Sequence, residues 1–423
     1  MKYLKDISFV PFIFLMVTWH SGLKGMILLL LWISFGILEI IRIRMKRKEK
    51  QERMKLEQGS FYMEQLLLSF RRHHKILAAW KDVSVLAPGK MGEVVREASF
   101  ELESGFEEER EFLQVSYRIE KRYGSRLMRR VHEFLIHVEE QGGECDTALD
   151  ILLAQVRSNK QSRKLFTEKY QLTRSRLTLS VMLSCLIHIL IVRMIPERHL
   201  LMETRVYQLG NGTAFFLYAV LYLFFYQMTI CPPDSEYSEK KEQKMIRQAK
   251  RWYEMMVYRP HGIGWHLAAV RMEKEVRLFF PDWLFDMLLR LQTENLQTAL
   301  HHSLDSAPEI LIRPLCRLLR MVEEDPVSME PYHDFLKELD LPEIHSMMLQ
   351  LYAVNIMGKD DILNQICAMQ EQQRQMQEQA ERIRLEERLT GIGLLAAVPM
   401  MLSILLMLMN MGLGMLSFLQ RNL

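Results

Sequence analysis

The 423-residue chain carries 55 Lys and Arg against 52 Asp and Glu, and a net charge of +3 is too small to mark a nucleic-acid binder. Its mean hydropathy of −0.05 averages apolar blocks with blocks dense in Lys, Arg and Glu, the pattern of a membrane protein with large polar parts. A soluble enzyme is therefore excluded as the first reading.

The N-terminal segment, 1–45, reads as an uncleaved membrane hairpin. An apolar run Ile7–Trp19 is followed by a break at His20-Ser21-Gly22 and a second run, Met26–Ile41. No small-residue cleavage site follows one apolar region as a signal peptide requires. The first run is short and contains Pro11, so a re-entrant or tilted arm is an alternative to a full span. Arg42–Lys55 then holds eight basic residues against two acidic ones, which fixes that end in the cytoplasm.

Residues 46–176 form the first predicted helical domain. Leu66, Leu67 and Phe70, then Val94, Val95, Ala98 and Leu102, then Leu127, Val131, Phe134, Leu135 and Val138 recur at helical spacing. Breaks are predicted at Ala87-Pro88-Gly89, Tyr123-Gly124-Ser125 and Gly142-Gly143. Gly142 and Gly143 are expected to end one helix in a left-handed turn, and to tolerate Val less well than Gly92 does. Arg157–Arg176 carries seven basic residues against one acidic, a second cytoplasmic signal.

A central transmembrane hairpin follows at 177–231. Leu177–Ile195 and Thr213–Ile230 are its arms, and the loop Pro196–Gly212, with two Arg and two Glu, has no basic excess. Glu39 and Arg193 lie near the ends of apolar runs, placed to snorkel to the interface or to pair with another helix.

The second helical domain spans 232–389. Pro281, Pro308, Pro314, Pro326, Pro331 and Pro342 are expected to mark helix starts or links, because proline is expelled from helix interiors. Asp361–Leu389 holds no Gly or Pro and predicts one long helix leading into a last membrane segment at 390–419. Along it Ile362, Ile366, Met369, Met376, Ala380 and Ile383 form a seam of four- and three-residue steps, with Gln373 at the one vacant position. That seam packs on its own bundle or meets another protomer.

The two domains are related by a weak repeat. Phe134 to Gly143 followed by Asp146 to Leu152 aligns with Leu349 to Gly358 followed by Asp361 to Cys367 at one fixed offset, 215 residues, so Gly358 takes the place of Gly143. In each copy a glycine turn precedes a long charged helix that enters a membrane segment. The fold class expected is an all-α membrane protein with two cytoplasmic helical bundles and transmembrane helices.

No chemical signature accompanies this pattern. There is no phosphate-binding Gly-x4-Gly-Lys-Ser/Thr loop, no Gly-x-Gly-x-x-Gly, no His-Glu-x-x-His and no Gly-x-Ser-x-Gly. The five cysteines, Cys145, Cys185, Cys231, Cys316 and Cys367, lie far apart with no Cys-x-x-Cys spacing. The pairs His73-His74 and His301-His302 point about 100° apart on a helix and do not comfortably share one ion. Glu101–Glu111 and Glu371–Glu387 read as solvated helix faces rather than paired catalytic acids. Neither cofactor, metal nor catalysis is expected.

On Phe134–Arg176, with its basic end leading into a hairpin, and on Pro281–Leu300, an apolar helix, a turn and an Ala-Leu pair, the chain resembles the F-domain family of inner-membrane platform proteins. These serve type II secretion systems, type IV pilus machines and tight-adherence (Tad-type) pilus machines. Asn295 stands where the family often has glycine, and the first domain has Leu66 to His74 in place of the family's opening motif. The N-terminal hairpin is more typical of the Tad-type branch. The resemblance implies a multi-pass protein of the inner (plasma) membrane whose cytoplasmic domains engage a hexameric assembly ATPase. Its membrane helices would handle pilin-like subunits, with a second platform chain or a homo-oligomer as possible companions. A membrane-anchored scaffold or sensor is the alternative. A small-solute transporter has thinner support, since the central spans offer mainly Ser184, His188 and Tyr218 as polar groups.

Overall fold

The structure, a computed structural model, describes residues 10–87, 89–104, 109–123, 126–141, 146–195, 198–230, 251–252, 254, 263–292, 294–356 and 359–422. Among them there is no strand. The helices are α1 (Val10–His20), α2 (Gly25–His73), α3 (Ile76–Leu86), α4 (Lys90–Ser104), α5 (Glu109–Tyr123), α6 (Arg126–Gln141), α7 (Asp146–Met194), α8 (Arg198–Glu203) and α9 (Arg205–Met228). Beyond them follow α10 (Ile263–Arg290), α11 (Leu296–Ser306), α12 (Glu309–Glu324), α13 (Glu330–His333), α14 (Pro342–Ile356), α15 (Lys359–Leu394) and α16 (Ala397–Asn422).

Among the described residues four helical stretches are long and apolar enough to cross a membrane: Gly25–His73, Asp146–Met194, Arg205–Met228 and Gln365–Leu416. The chain divides into two compact units, one of Met1–Met54, Arg163–Pro232 and Leu385–Leu423, the other of Lys55–Ser162 and Pro233–Arg384. The domain limits read from composition, at 45/46, 176/177 and 389/390, all fall inside continuous helices, α2, α7 and α15. Composition changes there without any break in the backbone.

The first unit holds the apolar stretches. Phe14 of α1 stacks on Phe35 of α2 with ring centroids 4.2 Å apart. The turn between them passes through Gly22 at φ +74°, and α9 grips it: Tyr207 donates its hydroxyl to Ser21 O (2.7 Å), and Gln208 Nε2 donates to Gly22 O (3.0 Å). The described part of the first apolar run, α1, is 11 residues. That is about 16 Å, short of a roughly 30 Å hydrocarbon core. The predicted loop Pro196–Gly212 is shorter than expected, since α8 and the start of α9 occupy most of it, with Thr204 capping α9 by accepting from Tyr207 N. Glu39 pairs within its own helix, accepting from Arg42 Nε at 2.8 Å. Arg174 of α7 meets Glu49 of α2 at 3.1 Å and donates to Thr229 O at 2.8 Å, and its guanidinium lies 4.2 Å over the Tyr226 ring.

Between α15 and α16 the chain turns through 3₁₀-type bonds, Ala396 N to Gly393 O and Val398 N to Leu395 O, because Pro399 brings no N–H to continue the ladder. Ser180 of α7 donates its hydroxyl to Ala396 O (2.7 Å) and pins this bend.

The second unit carries two apolar cores. In one, Tyr62, Leu66 and Phe70 of α2 pack with Ile76, Trp80 and Val83 of α3, Val131 and Leu135 of α6 and Leu152 of α7. In the other, Trp283, Leu284 and Leu288 of α10 pack with Leu311, Leu315, Leu351, Ile366 and Met369. Trp80 and Trp283 are each 0% exposed, and truncating either to Ala should cost about 3–5 kcal/mol. The cores meet on α10, whose Phe285 and Leu289 belong to the first while the rest of its buried face serves the second.

One sequence expectation needs correction here. Pro281 and Pro314 do not mark helix starts: both lie inside helices, α10 and α12. A proline interior to a helix loses one backbone bond and kinks it, and here fully buried neighbours such as Trp283 and Leu315 hold the helix through that loss. Gly92, expected to suffer less from Val than Gly142 and Gly143, which lie outside the described residues, is itself crowded. A Cβ there would sit 2.6 Å from Ala87 O and 3.3 Å from Ser84 O, because α3 and α4 turn tightly on each other after Gly89 at φ +62°. Overpacking of this kind costs about 1–3 kcal/mol. Gly92→Ala is expected to lower the thermal midpoint of the purified protein measurably and Gly92→Val to lower it further; an unchanged midpoint for both would remove this account of the α3–α4 corner.

The first core also buries a hydrogen-bonded row. Trp80 Nε1 donates to the Tyr62 hydroxyl (2.8 Å), the hydroxyl meets His132 Nε2 (2.8 Å), and His132 Nδ1 meets Glu120 Oε1 (2.9 Å). Indole is donor only, so the row closes with Tyr62 donating to His132 Nε2 and His132 Nδ1–H donating to the carboxylate. Burial works to raise the Glu120 carboxyl, but His132 and then Arg129 more than reverse it and hold it below the usual range. A lowered carboxylate contributes stability above its unfolded pKa and loses that contribution as pH falls through its folded value. The thermal midpoint of wild type should exceed that of Glu120→Gln at pH 7, and the gap should close below about pH 4. A gap that is constant with pH would mean that the carboxylate charge contributes nothing.

Candidate functional site

The long helix α15 is where the sequence placed its partner seam. Ile366 and Met369 lie buried in the second core, Met376 packs against that core half-buried, and Ala380 is half-buried. Ile383 is 54% exposed. The backbone of Ile362 belongs to α15 but its side chain lies outside the described residues, as do Gly142, Gly143 and Gly358. The bounds of the helices on either side are nonetheless described: α6 ends at Gln141 and α7 begins at Asp146, α14 ends at Ile356 and α15 begins at Lys359.

Gln373, the gap in the apolar seam, is the pivot of the arrangement. It is 1% exposed and donates to Pro281 O of α10 at 2.8 Å and to Gln377 Oε1 at 3.3 Å. Gln377 in turn donates to Asp282 Oδ1 (3.3 Å) and accepts from Gln155 Nε2 of α7 (2.6 Å), and Ser158 of α7 donates to Glu378 (2.8 Å). Arg130 of α6 completes the junction. Its Nε lies 2.8 Å from Asp286 Oδ1, its Nη1 3.5 Å from Asp282 Oδ1, and its guanidinium stands 5.9 Å over the Phe285 ring.

Four helices from the two halves of the unit, α6, α7, α10 and α15, are thus joined by one polar network that shares Asp282. Burial opposes the charge on Arg130, and Asp286 and Asp282 more than restore it, holding its pKa above the ordinary value. Burial pushes the Asp286 carboxyl up, and Arg130 pulls against that rise. Such a network fixes the register of helices on which it closes. Among the described residues no cluster of three metal-ligating side chains occurs.

No family model, curated protein or solved structure matches this chain. The site is therefore read on its own geometry. Sequence reasoning missed Arg130, Asp282 and Asp286 altogether. The signal was present: Asp282 and Asp286 stand four residues apart on the apolar run Pro281–Leu291, and a charge on an otherwise apolar helix face calls for a partner.

Proposed function

We propose that this chain is an inner-membrane platform protein of a type II secretion or type IV/Tad-type pilus assembly machine. Its polar helical unit lies in the cytoplasm and engages a hexameric assembly ATPase, and its spanning helices receive pilin-like subunits and help to move them out of the bilayer. It works as a homo-oligomer or beside a second platform chain.

The observation that carries this reading is the continuity of α2, α7 and α15. Each belongs to both compact units, so that a displacement imposed on the polar unit reaches the apolar one through unbroken backbone. The basic runs Arg42–Lys55 and Arg157–Arg176 favour the cytoplasm for the polar halves of α2 and α7. The repeat reading gains from the helix ends: α6 stops at Gln141 and α14 at Ile356, one offset of 215 residues apart, and each is followed by a helix that runs on into an apolar stretch.

Deleting the gene should abolish surface filaments, or secretion of the machine's substrate, and plasmid-borne protein should restore them; undiminished filaments and secretion in the deletion strain would reject the reading. The orientation is tested separately. In a background lacking the five native cysteines, Glu203→Cys should be labelled by an impermeant thiol reagent in intact cells and Arg382→Cys only after lysis. Both positions are exposed. Labelling of Arg382→Cys in intact cells would invert the map.

A further inference from the structure

Polar side chains from three of the apolar helices converge inside the first unit. Ser184 and His188 stand one turn apart on α7, Asn211 and Tyr218 two turns apart on α9, and Ser403 and Asn410 two turns apart on α16, all at most 3% exposed. Part of this junction is satisfied. Asn211 and Asn410 exchange side-chain amides at 3.1 and 3.2 Å, and Ser403 donates to Ser184 O at 3.2 Å.

The rest is not. Both ring nitrogens of His188, the hydroxyl of Ser184 and the hydroxyl of Tyr218 are buried with no hydrogen-bond partner among the described residues. The imidazole stands edge-on to Phe215, centroids 5.3 Å apart, and faces the Asn211 amide without meeting it at hydrogen-bond geometry. The Tyr218 hydroxyl likewise lies near Ser403 without a hydrogen bond to it. A buried polar group left unmatched forfeits its bonds to water without replacement, so four such atoms at one helix junction call for a partner.

We propose that the α7–α9–α16 junction is a binding site for water, held by His188, Ser184 and Tyr218 beside the Asn211–Asn410 pair. The chemistry selects this ligand. A neutral imidazole presents one donor and one acceptor and each hydroxyl presents both, a set that a small neutral donor-acceptor matches. A charged ligand is disfavoured, since the side chains gathered here, Ser184, His188, Asn211, Tyr218, Ser403 and Asn410, include no carboxylate, lysine or arginine to balance it. Bound water also makes the asparagine pair exchangeable, because either amide can pass its bond to water instead of losing it.

Millisecond X-ray hydroxyl-radical footprinting of the full-length protein in lipid nanodiscs, read by mass spectrometry, tests this directly, because bound water is the radical source for a buried ring. Tyr62 is the reference: it is 0% exposed, as Tyr218 is, but its hydroxyl is fully paired in an apolar core. Tyr218 should be oxidised several-fold faster than Tyr62, and Ser184→Ala or His188→Leu should reduce the Tyr218 rate toward the reference while leaving Tyr62 unchanged. Equal rates for Tyr218 and Tyr62 in the wild-type protein would overturn the proposal, whether or not either variant folds.

Discussion

Arg130→Met should lower the thermal midpoint of the purified full-length protein by roughly 6–12 °C, the shift that about 3 kcal/mol produces in a unit of this size. The cost arises from what remains. Asp286 and Asp282 would stay in place, 10% and 22% exposed, with no guanidinium between them. Burial already raises Asp286, and without Arg130 it must take up a proton or draw in water. Because Asp282 is partly solvated, the loss belongs at the lower end of the 3–5 kcal/mol that breaking a buried pair costs. Two comparisons identify the cause. Lys121→Met, an exposed position on α5, should leave the midpoint near wild type. Adding Asp282→Leu and Asp286→Leu to Arg130→Met should recover most of the loss, since apolar side chains of similar size replace buried ion pairs at little cost. A triple variant no more stable than Arg130→Met would mean that the arginine acts through its packing on Phe285 and not through the two carboxylates.

That junction also marks the boundary of what could be read in advance. Helix limits were legible where the chemistry is local. Ala87-Pro88-Gly89 does separate α3 from α4, with Gly89 left-handed at φ +62°, and α5 ends at Tyr123 and α6 begins at Arg126, on either side of the predicted break. The turn before α11 was legible too. Asn295 accepts from Thr298 N at 2.9 Å, which gives a physical reason for a capping side chain at the position where glycine was expected. Local rules failed where distant residues decide. Pro281 and Pro314 read as helix starts but sit inside helices whose buried faces outweigh a missing bond, and Gly92 looks unremarkable until α3 is seen to approach it. The apolar seam of α15 was visible, and Gln373 registered only as its defect. Its bond to Pro281 O of α10 joins residues 92 apart in the chain, which periodicity does not encode.

The proposed mechanism places its demand on α15 as a stiff rod. The helix runs 36 residues, about 54 Å, from the second core to the bend at Gly393–Val398, with Ser180 pinning the far end at Ala396. Gln375 lies on its exposed side, donating to Glu371 one turn back at 3.0 Å. Proline there removes a backbone bond and clashes with the preceding turn, costing about 3 kcal/mol and kinking the rod. The apolar stretch Ala397–Asn422, whose sequence suits a membrane span, lies well beyond the kink and is left as it was, whereas Gln373 and Gln377 of the polar junction flank that kink. The decisive measurement compares Gln375→Pro with Gln375→Ala for membrane abundance, co-purification of the assembly ATPase, and surface filaments. The account predicts that the proline variant matches the alanine variant in abundance and ATPase binding yet assembles no filaments, whereas normal filament assembly by Gln375→Pro would show that α15 does not transmit the motion.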